Sequence, residues 1–120
     1  MIIKEEELSK YLAKWVRILR LERWDIRIKI KRAEDMHLEE CAGENHFTTT
    51  SRQSLINLRD PVDWTNNDFE QDMELTLVHE LLHISFTMLD TDNALRDKIQ
   101  HQLLNDMAVA LIRADRKEGS

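Results

Sequence analysis

The stretch LTLVHELLHISF, Leu75 to Phe86, sets two histidines four residues apart in an otherwise apolar segment, with a glutamate directly after the first. A helix turns about 100° per residue, so His79 and His83 stand about 40° apart on one face. Their side chains are then roughly 6 Å apart. Two imidazole nitrogens at that spacing can converge on one ion, at about 2.0–2.1 Å each. Glu80 flanks the pair, where a carboxylate reaches a water on the ion without being a ligand itself. The competing reading is a buried structural helix. Leu75, Leu77, Val78, Leu81, Leu82 and Ile84 surround the motif, as they would on a central helix packed on both sides. Two imidazoles and a carboxylate in that setting are costly unless something compensates them, and a cation does so.

The rest of the chain suits one domain. It has 120 residues, 42% hydrophobic and 33% charged, which is enough for one real core. Only 2 Gly and 1 Pro occur, so long linkers are not expected, and no glycine-rich phosphate cradle exists. The net charge of -6 disfavours a broad nucleic-acid face, although Lys14, Arg17, Arg20, Arg23, Arg27, Lys29, Lys31 and Arg32 gather early. These fit the solvated faces of a helix and a strand. The single cysteine, Cys41, cannot form an internal disulfide, which fits a reducing compartment. With no signal-like apolar run at MIIKEEELSK and no membrane-length apolar stretch, the expectation is a soluble cytoplasmic protein.

Working outward from the motif, periodicity predicts a helix over about 68–89, with Asn67 and Glu70 as a capping pair. Upstream, Leu8, Leu12, Trp15, Val16 and Leu19 form one helical stripe within 5–21. Ile26, Ile28 and Ile30 alternate with Arg27, Lys29 and Lys31, which marks a half-buried strand. Gly43 permits a turn or bulge, NHFTTT has strand composition, and SLINL, Ser54 to Leu58, is a third strand. Downstream, Asp90 or Asp92 can cap a last helix over about 93–114, with a frayed tail at 115–120. The order is helix, two or three strands, helix, helix. It implies a single small α+β domain with helices on one face of a short mixed sheet.

With HELLH in its apolar setting VHELLHI, the sequence resembles the zincin metallopeptidases. The element order is similar to a minimal zincin-like domain, as in the SprT-like and ImmA/IrrE-like groups and in short proteins of bacteriophages and prophages. LERWDIRIKI is similar to the Trp-plus-strand opening of such phage proteins. The resemblance implies a zinc-dependent metallopeptidase that takes a peptide or protein substrate, with His79 and His83 as ligands and Glu80 as general base. A zincin-fold binding or regulatory protein with little proteolytic activity is the alternative. Phe86 and Leu89 stand where metzincins carry glycine and a third histidine. The resemblance therefore implies a third ligand on the last helix, where gluzincins use Glu. The only downstream glutamate is Glu118, in the tail.

His101 is the candidate in its place. It follows His83 by 18 positions, on the helix that can fold back over the motif, about 60° from Leu104. The competing reading is a surface histidine. Asp97, one turn earlier, could replace His101 or orient its ring. Asp90, Asp92 and Asp106 rank lower. His37 and His46 are expected at the surface, with His46 a lesser candidate for an oxyanion donor. Trp24 and Trp64 are expected over the edges of the core. An extended substrate would lie along an edge strand, with Ser54 to Leu58 the candidate.

Overall fold

The computed structural model describes residues 1–38, 41–86 and 94–118, with the side chains of 94–97 and 118 outside the described set. The first apolar stripe becomes α1, Leu8–Ile18, approached through a single 3-10 turn at Glu5–Glu7. The helix stops short of residue 21. Arg20 takes a left-handed φ of 60°, its amide donates to Arg17 O, and the Leu21 amide donates to Val16 O. This is the Schellman arrangement, usually built on glycine. Here an arginine fills it, at a cost of about 1–2 kcal/mol.

The alternating isoleucines form β1, Asp25–Lys31, with Ile26, Ile28 and Ile30 packed on the core while Arg27 and Lys29 face solvent. A hairpin follows: β2, Gly43–Thr48, and β3, Gln53–Arg59, joined by a turn in which Arg52 has φ 54°. β3 lies in the middle, parallel to β1 and antiparallel to β2. The Ser54 to Leu58 stretch is therefore the central strand, hydrogen-bonded on both sides. This corrects its expected place at an edge. The strand beside the helix motif that has an open edge is β2.

The motif helix, α2, runs Met73–Ser85, shorter at both ends than its periodicity suggests. Its cap is Asp72, whose side chain accepts from the Leu75 amide, and not Asn67. Residues 66–69 instead form a local turn in which Asn66 Oδ1 accepts from the amides of Asp68 and Phe69. α2 is the hub of the fold. It packs on β2 and β3, with α1 and α3 against it. α3 runs Ala94–Glu118 and sets Leu104, Ala108 and Ile112 into the core. Its charged end is helical where a frayed tail was expected. Asp115 bonds Lys14 at 2.7 Å, and Arg116 spans Asp72 at 3.0 Å and Glu74 at 3.3 Å. Asp90 and Asp92 lie outside the described residues. The described residues form a compact α+β fold of three α-helices and a three-stranded mixed sheet.

Gly43 is neither turn nor bulge. It opens β2 in regular strand, where a Cβ would lie 2.6 Å from Thr76 Cγ2 and 3.3 Å from Asn57 O. The strand thus approaches α2 more closely than any other residue allows. Thr76 cannot swing aside freely, because it is β-branched and its hydroxyl donates to Asp72 O at 3.1 Å. Gly43→Ala should destabilise the protein by about 1–3 kcal/mol in urea unfolding. Adding Thr76→Ser, which deletes the obstructing methyl and keeps the hydroxyl, should recover most of the loss. An equal loss in the double variant would locate the problem elsewhere.

Residues 32–38 cross back over the sheet and are pinned at their start by Asp63. Its carboxylate accepts from Arg32 Nε and from the Ala33 amide, both at 2.8 Å. The Arg32 hydrogen bond, then that amide, hold the Asp63 carboxyl down from 3.8 to about 2. A carboxylate with a lowered folded-state pKa stabilises the fold above its unfolded value and stops doing so as pH falls through the folded one. The contribution is therefore complete above about pH 4 and disappears between about pH 4 and 2. In Asp63→Asn, the drop in melting temperature across that window should be smaller than in the wild type.

Candidate metal centre

Helical geometry brings His79 and His83 together as their spacing predicts. Their Nε2 atoms are 3.2 Å apart and their rings meet at 71°. α3 then lays His101 across the same spot, with its ring centroid 4.7 Å from that of His83 and 6.3 Å from that of His79. One nitrogen from each of the three rings lies within 4.8 Å of the other two. Two nitrogens bound to one tetrahedral zinc at about 2.0–2.1 Å are about 3.3–3.4 Å apart, so the spacing of the first pair fits a shared ion. His79 and His83 are half-buried and His101 is exposed, which leaves one side of the cluster open to solvent. Burial, followed by the nearby His101, lowers the His79 pKa and favours the neutral, metal-binding imidazole.

Asp97 stands on α3 as expected, but its side chain lies outside the described residues. Asp106 is exposed and takes no part in the cluster. Cys41, at half-burial, donates to Leu38 O, and burial pushes its thiol pKa up. It is thus a poor nucleophile.

Glu80 sits beside His79 on the wall of a cleft of about 430 Å³. Its side chain is buried, and burial, with the negative charge of Glu44 as a second cause, pushes its pKa up to about 7. Among the described residues its carboxylate accepts no hydrogen bond, which is unusual for a buried acid. The other two buried glutamates among the described residues differ. Glu74 accepts from Trp15 Nε1 at 2.8 Å and pairs with Lys14 and Arg116. Glu44 accepts from the His37 and Leu38 amides and from Asn57 Nδ2, all at 3.1 Å.

The backbone beneath Glu80 is tied down even though its carboxylate is not. Asn45 Nδ2 donates to Glu80 O at 2.9 Å, and Ser54 Oγ donates to Asn45 Oδ1 at 2.6 Å. The motif turn is thereby bolted to β2 and β3. The cleft is completed by Ala42, Trp64, Phe69, Leu75 and Thr76. Trp64 is thus a cleft residue as well as an edge cover, held by its Nε1 donating to Phe69 O. Trp24 packs on the core and meets Phe47 edge-on.

His46 is not in this cleft. Gly43 and Asn45 face α2, so alternation along β2 turns Glu44 and His46 to the opposite sheet face. An oxyanion role for His46 is therefore excluded by its placement. Glu44 and Asn45 had no motif to mark them. The only local signal is the ENH run itself, which puts an acid and a histidine on one strand face.

No protein-family model, no curated protein and no solved structure matches this chain.

Proposed function

We propose that this chain is a zincin-type zinc metallopeptidase, with His79, His83 and His101 as the metal set and Glu80 as the general base. The observation that carries this is a three-imidazole cluster whose member His79 shares a cleft wall with the buried Glu80, an acid with no hydrogen-bond donor among the described residues. The donor set suits zinc: three neutral nitrogens leave a position open for solvent, as in catalytic rather than structural sites. When bound, zinc supplies Lewis acidity, drawing the pKa of water toward about 7 and polarising a carbonyl.

The chain's own residues do the rest. Glu80 accepts a proton from the attacking water at its carboxylate and returns it to the leaving amine nitrogen. The Asn45 bond to Glu80 O fixes the backbone that carries this carboxylate. An extended peptide adds along the open edge of β2, where main-chain pairing provides affinity with modest sequence selectivity. The apolar faces of Trp64, Phe69 and Leu75 line the cleft next to the reacting centre and receive an apolar substrate side chain.

In Glu80→Gln, zinc content should match the wild type while cleavage of a denatured protein substrate falls by about 100-fold or more. Undiminished cleavage would remove Glu80 from the mechanism. His101→Ala should weaken zinc binding at least about tenfold, since loss even of a group behind the ligands costs that much. Competition with a chromophoric chelator gives the affinity directly. An unchanged value would take α3 out of the metal set.

A further inference from the structure

A second cluster of metal-binding side chains lies on the face of the sheet turned away from α2. It consists of Glu44 and His46 from β2 and His37 from the segment that crosses over that face. The ligand atoms of these three side chains fall within 4.8 Å of one another. His46 Nε2 is 3.4 Å from Glu44 Oε2, and His37 Nδ1 is 3.6 Å from Glu44 Oε1. The two rings meet edge-on, 4.6 Å between centroids.

Three features separate this group from a chance surface pair. The Glu44 side chain is wholly buried, at 0% exposure, while His37 and His46 are 69% and 42% exposed. The carboxylate is thus a fixed floor beneath two open rings. It is also held rigidly as an anion. Burial pushes Glu44 up, but the His37 amide, Asn57 and the Leu38 amide outweigh that and bring it below the usual carboxylate range. Asn57 is itself fully buried, so it cannot turn away. A ligand oriented from behind in this way is what tight metal sites require. Finally, the ring-to-carboxylate distances are long for charge-assisted hydrogen bonds, which run about 2.7–2.9 Å. They are close to the spacing of two ligands on one ion with bonds of about 2.0–2.2 Å.

We propose that His37, Glu44 and His46 form a second divalent-metal site, selective for zinc-like ions that accept imidazole and carboxylate together. One carboxylate and two neutral rings leave a net charge of -1, which favours a divalent cation, and the exposed rings leave its remaining positions to water. The ion ties residues 37–38 to β2, at the opposite end of the crossing segment from the Arg32–Asp63 pin. The role is that of a fastener for the strand that borders the cleft. It does not rest on the peptidase reading, because none of its ligands belongs to the first cluster.

The test is to titrate metal-free protein with zinc chloride alone, counting bound ions by native mass spectrometry. Wild type should bind two zinc ions per chain. His37→Ala/His46→Ala should bind one, and so should His79→Ala/His83→Ala. Because His37 and His46 are exposed, their replacement leaves the core intact, and circular dichroism verifies this. A second readout uses the His79→Ala/His83→Ala background. There zinc should still raise the melting temperature, and adding His46→Ala should abolish the rise. The proposal is overturned if the wild type binds a single zinc that vanishes with His79→Ala/His83→Ala. It is equally overturned if a second zinc persists without His37 and His46. Should the first cluster prove not to bind zinc, one ion lost on His37→Ala/His46→Ala would still support this site.

Discussion

The seating of α2 against β2 is the constraint on which the rest depends. Gly43 removes the side chain that would hold strand and helix apart, and Thr76 fills the space it leaves. One turn further along α2, Asn45 grips the carbonyl of Glu80. A helix that slipped by one residue would rotate about 100° and lose both contacts together. The register that satisfies them points His79 and Glu80 into the cleft and buries Leu77, Val78 and Leu81. Packing and site chemistry are therefore fixed by the same two contacts.

His101 depends on a second anchoring, made far from the cluster. It lies 15 residues before Arg116, about 22 Å along the α3 axis. At that distant end Arg116 holds Asp72 and Glu74, and Asp115 holds Lys14. Between the two ends Leu104, Ala108 and Ile112 lock the helix onto the core. A stiff rod fastened along its length transmits position, so ion pairs at the surface help decide where an imidazole stands. Exposed pairs alone contribute little, at about 0–1 kcal/mol. The buried Glu74 carboxylate is different, since it would be a severe liability without Lys14, Trp15 and Arg116 around it.

The elements with strong periodicity were legible from the residues alone. The Leu8–Leu19 stripe and the Ile26–Ile30 alternation each report which face is buried, and packing obeys them. The His79–His83 pair was legible for the same reason, because its geometry is local to one helix turn. Helix ends were not, since Asp72 and Asn67 offer similar capping chemistry and only tertiary contacts choose between them. The place of β3 in the sheet was misread for a related reason. Strand order is set by which partners meet in space, and a buried apolar run such as SLINL reads alike at the centre or the edge. The Glu44 cluster was invisible because its members come from a strand and a crossing segment with no shared period. Gly43 was misassigned because close approach and turn formation both call for glycine, and sequence does not distinguish them.

Among the described residues three glutamates are buried, and their surroundings set them apart. Glu74 sits among two cations and an indole N–H, so its charge is neutralised and its role is structural. Glu44 is wrapped by amide donors and kept ionised, with two rings standing over it. Glu80 has burial without donors among the described residues, with Glu44 as a repelling charge, and it lines a cleft together with His79, one of the three clustered imidazoles. Burial without a protein donor disfavours the ionised form of an acid, and the Glu80 pKa is pushed up accordingly. Its surroundings thus set Glu80 apart as the buried acid placed to exchange a proton in the cleft, which is the role the proposed mechanism gives it.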